Sequence, residues 1–330
     1  MATSWRLRPF RDGDDERVVA VWNRTLIRDP ISVALFRRQT LLSPNFQPEG
    51  CLLAEGRGVP GSAGGTAGTD GILGFALALA PRVAGLHAGR AGSGRIVGLG
   101  VLPEARRRGI GTALLEGALA FLRGQGCTRV SVAAHEYYAA GADSDAYAEG
   151  IAFLARRGFR EAYHAVAMGR ELYDLEWPAA VRAREAALRQ EAIEVRYFEP
   201  RDTYALAEYF RAEFPSWIEF FLRKLDAGHD LDEMVIAVDT SPAAGGHRVV
   251  GYCQHLDTDH VGPFGVAAAY RNRGIGSVML YRLLDRMREK GYKFAWFGET
   301  GRAQPYYERA GFRITRRYTV LVMDLAPQGS

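Results

Sequence analysis

Cysteine is scarce in this chain of 330 residues, which holds only Cys51, Cys127 and Cys253. The three lie far apart, and none belongs to a Cys-x-x-Cys pair. A disulfide framework or a structural zinc site needs paired or clustered cysteines, so the sequence disfavours both. His255 and His260 have no carboxylate or thiol at ligand spacing either. We expect no metal site and a reducing compartment.

Long apolar runs are also missing. The stretch MATSWRLRPFRDGDDE lacks the apolar core of a signal peptide. The longest apolar stretch, ILGFALALAPRVAGL, is too short to span a membrane and is interrupted by Pro81 and Arg82. These absences predict a cytoplasmic protein without a membrane partner.

A strong charge imbalance is absent as well. The net charge is +4, with acidic and basic residues interspersed. This suits an anionic small ligand but provides no concentrated basic face for nucleic acid. The chain has no Gly-x-x-x-x-Gly-Lys-[Ser/Thr] loop, and Gly98-Leu-Gly100 lacks the third glycine of a dinucleotide fingerprint. P-loop NTPases and Rossmann enzymes are therefore disfavoured.

What the sequence does contain is an internal repeat. Three landmarks recur in the same order: LRPFRDGD (7–14) as VRYFEPRD (195–202), RRRGIG (106–111) as RNRGIG (271–276), and ARRGF (155–159) as ERAGF (308–312). Ordered recurrence of this kind indicates two copies of one domain. We predict an N-terminal domain at 1–176, a helical linker at 177–192 and a C-terminal domain at 193–330.

Both copies predict the same order of elements. A strand and helical segments come first, followed by two strands, a strand that leads into the RGIG loop, a helix, a strand, a helix and closing strands. This mixed order indicates an α/β (α+β) fold, with a twisted mixed β-sheet flanked by helices in each copy. The first copy has extra residues, which we place in the glycine-rich segment 56–71 and around 135–147.

The RGIG loops place glycines where a strand turns into a helix. Glycine adopts positive φ without strain and lets a ligand approach the backbone. The first N–H groups of the helix lack internal partners and carry partial positive charge, so such a turn can bind phosphate, and arginines add charge. The candidate residues are Arg106, Arg107, Arg108, Gly109, Ile110, Gly111 and Thr112, and their counterparts Arg271, Asn272, Arg273, Gly274, Ile275, Gly276 and Ser277.

These features resemble the GNAT superfamily of acetyl-CoA-dependent N-acetyltransferases. Its hallmark is [Gln/Arg]-x-x-Gly-x-[Gly/Ala] after a strand that ends apolar-x-Val. Both copies match, with Leu99-Gly100-Val101 before the first loop and Phe264-Gly265-Val266 before the second. The typical Tyr-x-[Arg/Lys]-x-Gly-Phe junction is present from Tyr307 to Phe312. The resemblance covers nearly the whole chain and implies a tandem pair of domains, each with acetyl-CoA in a cleft between splayed fourth and fifth strands.

The resemblance also implies a mechanism. Loop amides bind the pyrophosphate, strand residues 99–101 and 264–266 align the pantetheine arm, and one strand amide polarises the thioester carbonyl. The amine attacks directly, and Tyr307 acts as general acid toward the departing thiolate. The first copy has Leu154 in place of Tyr307. The second domain is therefore expected to be catalytic, and the first to bind CoA without turnover or to serve as support.

The acceptor site is less sharply indicated. Acidic and aromatic residues near the second cleft could hold a cationic amine, and two residues could act as a base. The substrate-binding candidates are Trp217, Glu219, Asp257, Asp259 and Trp296, and the candidate bases are His260 and Glu299. Members of the family often have an asparagine six residues before this tyrosine, and this chain has Gly301 there. The sequence therefore leaves one expected contact with the pantetheine arm unassigned.

The expected function is acetyl transfer from acetyl-CoA to the primary amine of a small molecule. An aminosugar, an aminoglycoside-like compound and a thiol-precursor amine are all compatible acceptors. The alternatives are a protein lysine or N-terminal acetyltransferase, a CoA-sensing module without turnover, and a nucleic-acid binder that uses the loop arginines. The sequence leaves the oligomeric state open.

Overall fold

The computed structural model describes residues 5–56, 71–82, 92–132, 140–218, 221–222, 225, 231–255, 259–298 and 301–325. The chain divides into two compact units, residues 1–165 with 317–330 and residues 166–316. Among the helices of the described residues, none is long and apolar enough to cross a membrane. Within the same ranges, no group of three or more His, Cys, Asp or Glu side chains could hold a metal ion.

The first unit is a mixed sheet with helices packed on it. Its elements are β1 (Trp5–Pro9), α1 (Asp15–Thr25), α2 (Val33–Phe36), β2 (Cys51–Gly56), β3 (Ile72–Leu79), β4 (Ser93–Val101), α3 (Ile110–Gly124), β5 (Arg129–Val132), β6 (Ala142–Asp143), α4 (Ala148–Ala155) and residues 160–165 of β7 (Arg160–Glu171). Strands β1 to β4 are antiparallel neighbours, and β4 pairs with β5 in parallel. Helices α1 and α3 pack against β3 and β4. Every residue of β3 is buried, as expected for a strand covered on both faces.

The second unit repeats this plan. Its elements are residues 166–171 of β7, α5 (Ala179–Gln190), β8 (Ile193–Tyr197), α6 (Thr203–Glu213), β9 (Met234–Asp239), β10 (Arg248–His255), β11 (Val261–Val266), α7 (Ile275–Glu289), β12 (Phe294–Phe297), α8 (Gln304–Arg309) and residues 313–316 of β13 (Arg313–Asp324). Strands β8 to β11 are antiparallel neighbours. The structure confirms the expected α/β fold class: the first unit has a mixed sheet, the second has antiparallel strands with one parallel bridge between His260 and Trp296, and helices flank the strands of both.

The first landmark of the repeat is a buried ion pair. Arg8 donates from Nη1 and Nη2 to the carboxylate of Asp14 at 2.5 and 2.9 Å, and Arg196 does the same to Asp202 at 2.7 Å for both bonds. Asp14 and Asp202 are almost completely buried. A bidentate pair fixes both distance and orientation, so it joins β1 to the start of α1 in the first unit and β8 to the start of α6 in the second.

The closing strand of the first unit comes from the far end of the chain. Residues 317–324 of β13 belong to that unit, where Leu321 to Asp324 pair antiparallel with β5. In the second unit, residues 168–171 of β7 pair antiparallel with β12. The units therefore differ from the predicted bounds of 1–176 and 193–330. Repeated motifs reveal the order of strands, but the partner of a closing strand is a non-local choice.

The segment predicted as a linker is helical, as expected, but it is part of a packed unit. Helix α5 packs against α7 and β8, all of which lie in the second unit. Leu188 on its inner face is 1% exposed. The segment 177–192 is therefore a structural layer of the second unit.

Candidate active site

The two RGIG loops have the same backbone conformation. The φ angle is 60° at Arg107 and 81° at Gly109, and it is 62° at Asn272 and 73° at Gly274. Positive φ is uncommon at residues other than glycine, and it often marks a functional site. The recurrence of this pattern means that both loops present the first N–H groups of α3 and α7 in the same way.

The first arginine of each loop holds the loop in place. Arg106 donates from Nε to the carbonyl oxygen of Val101 at 3.2 Å, and Arg271 donates from Nε to that of Val266 at 3.0 Å. Each bond ties the loop to the last residue of the preceding strand. These two arginines, which the sequence suggested as ligand-binding, use this donor inside the protein.

The isoleucines anchor the loops in the core. Ile110 and Ile275 are each 1% exposed, so only their backbone N–H groups are available to a ligand. Thr112 and Ser277 follow two positions later and place hydroxyl groups on the first turns of α3 and α7.

The strands before the loops separate from their neighbours. In the first unit, β4 pairs with β5 only from Ser93 to Ile96. In the second unit, β11 and β12 meet at a single parallel bridge between His260 and Trp296. Among the described residues no further pairing joins β11 to β12, so the second unit has a cleft that leads toward its loop. Residues 133–139, which follow β5, lie outside the described residues, so the corresponding cleft of the first unit stays a prediction.

The backbone groups that face each cleft can be assigned from the neighbouring ladder. Leu102 N donates to the carbonyl of Leu73 at 2.9 Å, and Ala267 N donates to that of Val250 at 2.8 Å. The backbone N–H and C=O groups of successive residues point to opposite edges of a strand. Those of Val101 and Val266 therefore point away from the neighbouring strands β3 and β10, toward the cleft. The residues two positions earlier in each strand, 99 and 264, do the same.

Tyr307 lies among aromatic rings from both sides of the second cleft. Its ring centroid is 4.1 Å from that of Phe297 on β12 and 6.2 Å from that of Phe264 on β11. The rings of Tyr306 and Phe312 lie 5.0 and 5.8 Å away. Tyr307 is only 5% exposed, and burial raises the pKa of its hydroxyl. The phenol is therefore protonated throughout the neutral pH range and can act as an acid.

Tyr306 brings a second hydroxyl to the start of α7. The hydroxyl oxygen is buried and lies 3.6 Å from the position that a Cβ on Gly276 would take, where it interacts with the side chain of Ser277. No sequence pattern singles out Tyr306, because a second tyrosine beside Tyr307 is compatible with simple packing.

The first cleft has a different lining at the equivalent positions. Phe153 and Leu154 replace the two tyrosines, and Phe153 Cζ lies 3.5 Å from the Cβ position on Gly111. The guanidinium carbon of Arg157 sits 3.7 Å from the centroid of the Phe153 ring. Arg157 donates to Thr112 Oγ1 at 2.6 Å, so a cation stands at the first turn of α3. The only sequence signal for this was an arginine where the second copy has Ala310.

Glycines in β4 and β11 let helical segments approach the strands closely. A Cβ on Gly265 would lie 2.6 Å from Trp217 Cη2 and 2.8 Å from Phe214 Cζ. These two rings stack with centroids 3.8 Å apart and an interplanar angle of 4°. In the first unit, a Cβ on Gly100 would lie 2.1 Å from Thr25 Oγ1. Trp217, a predicted substrate-binding residue, therefore covers the strand that borders the second cleft.

His260, Trp296 and Asp259 form one cluster where β11 and β12 meet. The rings of His260 and Trp296 lie 4.4 Å apart. Trp296 donates from Nε1 to Asp259 Oδ1 at 2.8 Å, so this carboxylate is engaged within the protein. Burial lowers the pKa of His260 to about 4, although the Asp259 carboxylate opposes the shift. The predicted residues Glu219, Asp257 and Glu299 lie outside the described residues.

The buried imidazole makes stability depend on pH. The pKa of an exposed histidine is about 6.5, whereas His260 has a value of about 4 in the folded protein. The unfolded state therefore takes up the proton first as the pH falls, and stability decreases between these two values. We expect the free energy of unfolding to drop by about 2 kcal/mol between pH 6.5 and 4.5 from this group alone. Denaturant titrations of wild type and His260→Asn should differ by that amount; identical pH dependence would contradict the assignment.

Known proteins share this sequence pattern and this fold. The sequence model described as the acetyltransferase (GNAT) family matches residues 36–159 and 171–312. No curated protein matches the sequence. Each half of the chain therefore matches the same family separately.

Solved structures share the fold over nearly the whole chain. A GCN5-related glucosamine N-acetyltransferase region of a fungal multi-domain GH3 β-N-acetylglucosaminidase superimposes with a TM-score of 0.79 and 18% identity, covering 98% of this chain and 38% of the fungal one. A GCN5-related N-acetyltransferase from Sphaerobacter thermophilus gives 0.68 and 19%, covering 99% and 98% of the two chains. A tandem GNAT protein from the clavulanic acid biosynthesis pathway gives 0.61 and 16%, covering 98% and 100%.

Identities this low establish the fold alone, whereas the family match covers most of the sequence. The two matched halves agree with the two loops, the two clefts and the tandem neighbour. The chain therefore belongs to the GNAT acetyltransferase family, as a tandem two-domain member.

Proposed function

We propose that this protein transfers an acetyl group from acetyl-CoA to the primary amine of a small molecule, and that the second unit carries out the reaction. The observation that carries this proposal is Tyr307. It is a protonated phenol buried between rings of β11 and β12, in a cleft that ends at a phosphate-type loop. Leu154 occupies the equivalent position in the first unit and has no proton to donate.

The residues of the second cleft fit acetyl-CoA. The N–H groups at the start of α7 suit the pyrophosphate. The backbone groups of Phe264 and Val266 suit the amides of the pantetheine arm, since they face the cleft. The hydroxyl groups of Tyr306 and Ser277 at the start of α7 offer further donors. Acetyl-CoA itself supplies the activated thioester.

The proposed chemistry divides the proton transfers between two residues. A strand N–H group of the cleft stabilises the oxygen of the tetrahedral intermediate. As the C–S bond breaks, Tyr307 donates its proton to the sulfur. His260 accepts the proton that the attacking amine loses, and a pKa of about 4 keeps its imidazole neutral and ready to accept at physiological pH. The same low value makes it a weak base, so the proton must pass on to water.

Aromatic surfaces support a small ring-bearing acceptor. Trp217 lies over Gly265 beside the cleft, and Trp296 pairs with His260 where the strands meet. The fungal neighbour is named for glucosamine N-acetylation, so an aminosugar is the first acceptor to test. A protein lysine or N-terminal acetyltransferase is the alternative enzyme. For the first unit, Leu154 and Arg157 favour CoA binding without turnover.

An acetyl-CoA turnover assay tests the proposal directly. Thiol release would be followed with glucosamine, an aminoglycoside, a cysteine-containing amine and a lysine peptide as acceptors. The proposal expects at least one small amine to be acetylated at the nitrogen, as shown by mass spectrometry. Acetylation of the peptide alone would establish the alternative. CoA binding without release for any acceptor would support the sensing module.

Matched loop variants test which unit is catalytic. Gly274 and Gly109 both have positive φ, so an arginine at either position strains the proposed phosphate loop. At position 274 its Cβ would also lie 2.8 Å from Arg184 Cγ. We expect Gly274→Arg to abolish turnover. Gly109→Arg should retain turnover but reduce the number of CoA molecules bound per chain in calorimetry from two to one. The reverse pattern would assign catalysis to the first unit, and thermal melting of both variants checks that each remains folded.

A further inference from the structure

We infer that Arg184 and Glu191, contributed by α5 and the residue that follows it, set the affinity of the second loop for the anionic end of acetyl-CoA. Arg184 positions the loop, and Glu191 neutralises the charge of Arg273. This inference rests on the proposed function of the second loop and identifies two positioning residues that lie far from the loop in the sequence.

Arg184 supports the loop from behind. It donates from Nε to the carbonyl oxygen of Arg273 at 2.6 Å. Its Cγ lies 2.8 Å from the position that a Cβ on Gly274 would take. Only a glycine at position 274 leaves room for Arg184 this close to the loop. The Arg184 side chain therefore restrains the residue from which α7 begins.

Glu191 joins this side chain to the loop arginine. It accepts from Arg184 Nη1 and Nη2 at 2.7 and 2.9 Å, and from Arg273 Nη2 at 2.7 Å. The two arginines lower the pKa of Glu191 to about 2, so the carboxylate is charged at all physiological pH values. The charge of Arg273 is therefore already partly compensated by Glu191.

The first unit shows that this network is not required to form the loop. No atom of the described residues lies within 4 Å of the Cβ position of Gly109, yet its loop has the same φ pattern as the second. Arg184 and Glu191 therefore add something other than backbone conformation. Exposed ion pairs contribute little to folding stability, and these residues are each about one-third exposed. The network contacts the proposed phosphate loop directly. We therefore expect it to affect ligand binding.

Two variants with opposite expected effects test the inference. Arg184→Ala removes the support and should raise the KM for acetyl-CoA by about three- to tenfold, the size expected for one lost hydrogen bond, with kcat nearly unchanged. Arg184→Lys should restore part of the affinity because lysine can still donate to the same carbonyl. Glu191→Gln releases Arg273 and should lower the inhibition constant of product CoA by about threefold, with a steeper dependence on salt.

Glu185→Gln is the matched control. Glu185 lies on the same helix but pairs with Arg282, so its substitution should leave both constants unchanged. Melting-temperature shifts without any change in KM or in the CoA inhibition constant would overturn the inference. If no acceptor is turned over, the proposed function fails, and calorimetry with CoA still tests the inference: Glu191→Gln should tighten one of two sites, and two unchanged sites would overturn it.

Discussion

Replacing Tyr307 with phenylalanine is expected to lower kcat by about 10²- to 10⁴-fold, the usual contribution of a general acid. The ring would keep its contacts with Phe264 and Phe297, because only the hydroxyl is removed. The thiolate would then have to leave without a proton. Steady-state kinetics with the best acceptor from the amine panel would measure the effect, and the KM for acetyl-CoA should change little.

Tyr281→Phe provides the matched control. Tyr281 on α7 is 5% exposed, as Tyr307 is, and its ring packs against Trp177. Its substitution also removes one buried tyrosine hydroxyl from the second unit, so kcat should stay within about twofold of wild type, as for a residue outside the chemistry. If Tyr307→Phe behaves like this control, Tyr307 is not the general acid, and Tyr306→Phe becomes the next variant to measure.

Ending the chain after Arg316 is expected to unfold the first unit. This deletion removes the part of β13 that pairs with β5. It also removes five buried side chains, those of Tyr318, Val320, Leu321, Val322 and Leu325. Full burial of one such apolar side chain contributes about 1.5–3 kcal/mol. Their sum is comparable to the whole stability of a typical domain, about 5–15 kcal/mol.

Hydrogen exchange read by mass spectrometry would show the effect unit by unit. Peptides from β3, β4 and α3 should lose protection in the shortened chain, while peptides from β9 and α7 should keep it, since the second unit ends at residue 316. A chain that ends after Leu325 is the control, because it keeps all of β13. Protected β4 and α3 peptides in the chain ending at 316 would show that the first unit closes its sheet without β13.

Much of the fold and part of the candidate site follow from contiguous residues. The RGIG loops combine a strand end, residues with positive φ and a helix start within a few positions, so they can be recognised from the sequence alone. The order of strands and helices was also predictable, because hydrophobic periodicity is local. The difference between Tyr307 and Leu154 came directly from aligning the two copies of the repeat.

The sequence did not reveal the residues that act through contacts with distant segments of the chain. Arg157 reaches Thr112, and Arg184 reaches Arg273, across segments that share no local pattern. Tyr306 looked like packing because the position of its hydroxyl at the start of α7 is visible only in three dimensions. For His260, the direction of the pKa shift depended on burial that no motif encodes.

The sequence by itself determined that this protein is a tandem acetyltransferase fold with two phosphate-type loops and one tyrosine at the junction, since each of these features is built from neighbouring residues. The tertiary structure decided which strand closes each sheet and which charges surround each loop. The first sheet is closed by β5 and β13, which are more than 180 positions apart, and the charges around the loops depend on side-chain contacts between residues 45 to 89 positions apart. Such pairings are selected by the packing of the whole unit, and no local segment specifies them.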